Sequence, residues 1–307
     1  MRTADIRHGF GNAMRLLKGA VALLVTAAFM ASAVQPAAGK AFSTGAKSAI
    51  LIDADSGAIL FQHNADELLP PASMSKLMTL AVLFKAIKDG RVKLDDEFVM
   101  SLHAWKTGGA PSRTSSMFVP LNKTATIDDL MKGMIIQSGN DAAIAVAEGL
   151  AGTEESFAKF MTSEARRIGL EKSTFANPSG LYDPNQLMTA REIAMLSQHL
   201  IKEYPEFYKI FSQERFKYRR HNFINRNPLL FAKLGVDGLK TGYVKESGYC
   251  MAASAVRDGK RLIAVVMGLP SKKERQREVA RMLNWGFNSF GRFKLFAADE
   301  TVVYARL

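Results

Sequence analysis

The chain has 307 residues, 48% of them hydrophobic and 9% aromatic, and a formal net charge of +12. That is length enough for one large domain or two smaller ones around a real core, with a composition ordinary for a globular protein. Lysines and arginines are scattered, which argues against nucleic acid and for an acidic polymer or lipid surface as neighbour; a single cysteine, Cys250, excludes an intrachain disulfide.

Arg2, Arg7, Arg15 and Lys18 precede an apolar run at 19–30 and the small residues Ala31, Ser32 and Ala33. This order predicts a secretory signal over 1–33, cleaved after Ala33 or as late as about residue 41. The run is short for a membrane span, and no later segment could cross. Residues 47–53 and 58–62 are β-rich and joined by Asp55-Ser56-Gly57, a hairpin signal. Pro70-Pro71 blocks any earlier helix, and from Ser73 an apolar period runs through Leu77, Leu80, Leu83 and Phe84 to Gly90. That helix is apolar almost all round, so it is expected to be buried with only its N-terminal end open.

The middle of the chain reads as helical. Thr126 with Asp129, Thr153 ahead of Phe157, and Thr189 with Glu192 each open a helix, giving a helical subdomain over roughly 100–205. Strand signals return at 239–243, 249–256 and 261–267, with Cys250 as a small core residue, and Ser271 with Glu274 caps a last helix. Strands at both ends with helices between imply one antiparallel sheet with helices packed on it, an α/β (α+β) fold.

Three short motifs carry chemistry. Ser73 and Lys76 lie three apart, so on a helix they share a face, and a neutral amine there can take the serine proton. The ordinary alternative is a serine cap followed by a solvated lysine. Ser138-Gly139-Asn140 sits between two helical patterns, with Ser138 or Asn140 placed to cap a helix starting near Asp141. Lys240-Thr241-Gly242 enters a strand. A second copy, Lys106-Thr107-Gly108, lies in a loop ahead of the Ser-Gly-Asn and is set aside as a decoy.

Ser-x-x-Lys, Ser-x-Asn and Lys-Thr-Gly in this order characterise penicillin-recognising serine enzymes. From about 46 to 290 the chain resembles the serine-type D-Ala-D-Ala carboxypeptidases, the low-molecular-mass penicillin-binding proteins of peptidase family S11. Further stretches that carry the likeness are 53–57, 69–79, 137–142, 177–181, 225–230 and 236–242. The resemblance implies a β-lactamase/transpeptidase-like domain over 42–292: an antiparallel five-stranded sheet flanked by helices, with an inserted all-helical subdomain. No cofactor or metal is implied.

The implied chemistry is acyl transfer on a peptidoglycan stem peptide ending in D-Ala-D-Ala, with β-lactam antibiotics as the other partners. Ser73 is then the nucleophile and Lys76 the base, its pKa lowered by repulsion from Lys240 with desolvation adding to it. Ser138 relays the proton to the leaving amine, and Asn140 holds Lys76 or the substrate amide. Lys240 and Thr241 of the Lys-Thr-Gly motif, which Gly242 completes, bind the terminal carboxylate; the N–H groups of Ser73 and Tyr243 form an oxyanion hole. Arg226 and Arg275 match family positions near the substrate pocket, or else are surface arginines in ion pairs. Tyr243 and Val244 depart from the His and Thr common in one branch.

Two other functions are weighed against this one. A class A β-lactamase needs a glutamate for deacylation, and the stretch 174–184 has none. A penicillin-binding scaffold for cell shape needs no turnover, yet the full catalytic set is present; endopeptidase action on cross-links is a variant of the same chemistry. Residues 293–307 read as the remnant of a C-terminal β domain without a tail anchor. A periplasmic protein, soluble or in peripheral contact with the inner membrane, is therefore expected.

Overall fold

The computed structural model describes residues 42–291; the signal-like segment at 1–33 and the tail at 293–307 lie outside the described residues. In chain order the first elements are β1 (Ser48–Asp53), β2 (Ile59–His63), α1 (Lys76–Lys88), β3 (Glu97–Val99), α2 (Leu102–Gly108), β4 (Thr124–Thr126), α3 (Ile127–Lys132) and α4 (Asn140–Ala151). They are followed by α5 (Glu154–Arg167), α6 (Ala190–Glu203), α7 (Pro205–Tyr208), β5 (Arg215–Tyr218) and β6 (His221–Ile224). The described chain closes with β7 (Val236–Val244), β8 (Gly248–Arg257), β9 (Lys260–Leu269) and α8 (Lys272–Ser289).

The main sheet has the order β2-β1-β9-β8-β7 with antiparallel neighbours, so the first two strands of the sequence join the last three. All six residues of β1 are buried because both sheet faces are covered, which is why it reads as an apolar run and not as an alternation. One face packs on α8, where Val279, Met282 and Leu283 meet Leu51, Met251 and Leu262. The other face meets the larger core built around α1, with Leu77, Leu80, Phe84, Ile50 and Val265. The sheet is thus sandwiched between helices, with β7 at one edge.

The predicted caps form as the sequence suggests: Thr126, Thr153, Thr189 and Ser271 accept from the N–H of Asp129, Ser156, Glu192 and Glu274 at 3.0–3.2 Å. Residues 100–205 hold five helices, α2 to α6, and also β4, which pairs with β3 in a short ribbon. The β5–β6 hairpin was not foreseen, because the run Arg215-Phe216-Lys217-Tyr218 is masked by its charges. Its apolar alternation is nevertheless present, since Phe216, Tyr218 and Phe223 are buried.

Two local expectations fail. Residues 72–75 form a 3-10 turn and α1 begins at Lys76, so Ser73 is no helix cap. Neither Ser138 nor Asn140 caps α4; the cap position is Gly139, without a side-chain bond. The open N–H groups are met otherwise: Asn140 N–H donates to Ser115 O at 2.7 Å, and Ala142 N–H to Asp141 Oδ1 at 3.0 Å. That leaves the Ser138 and Asn140 side chains for the site. The decoy Lys106-Thr107-Gly108 forms the end of α2, where bare Gly108 lies against the backbone of Asn140 and Asp141.

Candidate active site

Ser73 is presented by a strained turn. Ala72 before it has φ +51°, in the left-handed region, and is buried at 2% exposure. Two glycines make room for this turn. Gly180, at φ +77°, leaves no space for a Cβ beside Ala72 O, and a Cβ on Gly242 would stand 3.0 Å from Pro71 O and Ala72 Cβ. The Gly of the Lys-Thr-Gly motif therefore lets β7 run against the nucleophile turn. Ser73 looks into a cleft of about 540 Å³ lined also by Ser115, Ser138, Arg226, Thr241, Gly242, Tyr243, Tyr249, Lys272 and Arg275.

Lys76 is fully buried, which rules out the solvated-lysine reading. Its Nζ contacts Ser73 Oγ at 3.2 Å, Asn140 Oδ1 at 2.6 Å and the carbonyl oxygen of Ser179. A neutral amine has two N–H donors and one lone pair. The two carbonyl acceptors take the donors, which aims the lone pair at the Ser73 hydroxyl. Burial pushes the Lys76 pKa down to about 7; Asp141 opposes this and Arg226 adds to it. The expected order of causes is thus corrected: desolvation dominates and repulsion is secondary. Lys240 is itself driven well below its ordinary value, first by burial and then by Lys76, Arg226 and Arg275. Charge on Lys240 is thus disfavoured as well.

Three supports hold this arrangement. The loop at 177–181 is folded on Asn177 Oδ1, which accepts from Ser179 N–H, Ser179 Oγ and Gly180 N–H at 2.8–3.2 Å, while Thr79 Oγ1 donates to Pro178 O at 2.6 Å. This loop, which carries no glutamate, offers Lys76 the carbonyl of Ser179. Asp141 gathers the loop before β4, accepting from Ser116 Oγ and from the N–H of Met117 and Phe118 at 2.8–2.9 Å. Ser138, 3% exposed, follows a π-helical turn over Gly133–Gln137 and takes φ +64°.

On β7, Lys240 and Thr241 are 2% and 8% exposed, and Lys240 Nζ has one long contact, 3.5 Å to Thr241 O. Arg275 is 7% exposed; it donates to Gly242 O and Cys250 O at 3.4–3.5 Å, and its Nε has no partner among the described residues. Arg226 meets Gln137 Oε1 at 3.4 Å. Neither arginine has an ion-pair partner among the described residues, so both belong to the cleft rather than to surface pairs. Tyr243 is half exposed and packs on Tyr249 with ring centroids 4.3 Å apart. An outer part of the cleft, about 380 Å³, adds Arg113, Thr114, Leu181 and Val244. Every charged residue lining the two parts is basic, so the cleft suits an anionic ligand. Among the described residues, no group of three or more His, Cys, Asp or Glu could hold a metal ion, and no helix is long and apolar enough to cross a membrane.

The sequence profile of the family described as D-alanyl-D-alanine carboxypeptidase, Peptidase S11, matches residues 31–271. The chain belongs to this family. Among its members, the carboxypeptidase DacC of Escherichia coli is 41% identical over 267 residues, 86% of this chain and 67% of that protein. DacA of Haemophilus influenzae is 39% identical over 264 residues, 85% of this chain and 67% of its own length. Penicillin-binding protein 6B of E. coli superposes with a TM-score of 0.81 at 35% identity, covering 87% of this chain and 84% of that one. Penicillin-binding protein D2 of Listeria monocytogenes, solved with ampicillin and with cefotaxime, gives a TM-score of 0.70 at 28% identity over 81% of this chain. The family's fold, a five-stranded antiparallel sheet between helices, is the one described above.

The structure brings together Ser73, Lys76, Ser138, Asn140, Lys240, Thr241, Gly242, Tyr243, Arg226 and Arg275 around one cleft or in direct contact with its lining. Sequence reasoning missed the Ser179 carbonyl, Asp141, Thr114, Arg113, Lys272 and Tyr249. For Ser179 and Asp141 a signal existed, since both lie in stretches that carry the family likeness.

Proposed function

We propose that the protein removes the terminal D-Ala from peptidoglycan stem peptides through an ester on Ser73, and that β-lactams acylate the same oxygen. The observation that carries this reading is the surroundings of Lys76 Nζ: buried, lowered to about 7, and 3.2 Å from Ser73 Oγ. Lys76 takes the hydroxyl proton as Ser73 Oγ bonds to the carbonyl carbon of the penultimate D-Ala. The C–N bond then breaks, Ser138 passes a proton to the leaving amine, and water hydrolyses the ester. Asn140 holds Lys76 in place. The terminal carboxylate is received by Lys240 and Thr241, with Arg226 and Arg275 completing the cationic wall, and the N–H groups of Ser73 and Tyr243 face the oxyanion. Export, expected from the segment at 1–33, fits a substrate outside the cytoplasmic membrane.

Mass spectrometry after benzylpenicillin, with a pentapeptide ending in D-Ala-D-Ala assayed in parallel, tests this reading. The expected results are one adduct on Ser73, absent from Ser73→Ala, and release of D-Ala by the parent alone. Rapid turnover of penicillin would return the choice to a β-lactamase; penicillin uptake with no D-Ala released would favour a scaffold.

A further inference from the structure

A chain of hydrogen bonds runs from the outer cleft to the base, and its direction is fixed at the far end. Gly109 O is a carbonyl and can only accept, so the 2.7 Å contact with Ser112 Oγ consumes the serine proton. Ser112 Oγ must then accept from Thr114 Oγ1 at 2.7 Å, as it does from the Thr114 N–H at 3.2 Å. Thr114 Oγ1, its own proton committed, accepts from Asn140 Nδ2 at 3.0 Å. Asn140 is left with one orientation, its Oδ1 toward Lys76 Nζ at 2.6 Å.

We propose that Thr114 is a positioning residue for this reaction: its hydroxyl holds the Asn140 amide with oxygen toward Lys76 and so keeps the lysine lone pair free for Ser73. This rests on the reading of Lys76 as base. With the amide reversed, Nδ2 would donate to the neutral amine and occupy the lone pair that Ser73 needs. The reversed amide would also withdraw an acceptor from the ammonium form, lowering the Lys76 pKa further. Thr114 is exposed on the cleft wall and not part of the core, so its side chain can be changed without repacking.

The test is the second-order rate of acylation by a fluorescent penicillin, measured against pH for the parent, Thr114→Val, Thr114→Ser and Ser112→Ala. Thr114→Val is expected to slow acylation about tenfold at pH 7, part of the roughly hundredfold or more that a positioned base supplies, and to move the acid limb to lower pH. Thr114→Ser, which keeps the acceptor, is expected to stay within about twofold of the parent, and Ser112→Ala to fall between. A Thr114→Val enzyme with the parent's rate and acid limb, or a Thr114→Ser enzyme as slow as Thr114→Val, overturns the proposal. A parent protein that takes up no penicillin would instead count against the function proposed above.

Discussion

Acidification should switch off acylation by charging Lys76, and the size of the effect follows from its burial. An exposed lysine at its ordinary 10.5 is neutral in only about one molecule in 3,000 at pH 7, whereas at a pKa of about 7 roughly half the molecules hold a neutral amine. Burial therefore raises the population of competent base about 1,500-fold at that pH. Going from pH 7 to pH 5 lowers it again about 50-fold. The second-order rate of acylation, which reports the free enzyme, should show an acid limb centred near pH 7 with a slope of one. A flat profile from pH 5 to 8, or a limb centred near 10.5, would refute the reasoning. Lys76→Arg, which cannot lose its proton, should be inactive across the whole range. The same shift predicts a stability effect. Between pH 7 and 10.5 the unfolded chain holds a proton on Lys76 that the native protein lacks. Stability should rise with pH across that window, by on the order of 5 kcal/mol in the limit.

Two further results are expected. Gly180→Ala forces a Cβ onto Ala72 O at a left-handed position, which should cost about 1–3 kcal/mol, lower Tm by roughly 2–4 °C per kcal/mol and slow acylation by displacing the Ser73 turn; an unchanged Tm by calorimetry would show that the turn gives way. Because burial and the neighbouring Lys76, Arg226 and Arg275 hold the Lys240 pKa well below its ordinary value, a carboxylate arriving beside it should push that pKa up and favour proton uptake from solvent. Calorimetric titration of the inert Ser73→Ala protein with pentapeptide in buffers of different ionisation enthalpy should reveal uptake of up to about one proton, weaker binding at higher pH, and loss of both in Lys240→Met.

The frame of the molecule was legible because its signals are local. A Thr or Ser ahead of an apolar period marks a helix start, and the terminal β-rich runs could bury themselves only by pairing. The three catalytic motifs were legible for a similar reason, each being a few residues long. What escaped depends on the backbone meeting itself at a distance. Ser179 serves Lys76 through a carbonyl that any residue carries, 103 positions along the chain, so no residue type announces it. Thr114 lies in the loop after the discarded Lys-Thr-Gly copy, where nothing in the local pattern marks a link to Asn140. The cause of the Lys76 shift was misjudged for a related reason: sequence shows how many cations a site holds but not how little water reaches them.

The place of β7 at the border of the sheet has a consequence for how copies of the protein meet. A border strand carries peptide groups that no neighbouring strand engages, the usual route by which folded chains stick to one another. Residues 238–242 of β7 are buried, however, with the turn at 72–75 packed on Gly242 and Asn227 Nδ2 donating to Gly238 O. A second copy could not reach this border without displacing the turn that carries Ser73. The packing that shapes the site thus also keeps the enzyme from adding itself as a sixth strand, a steric guard that salt does not weaken.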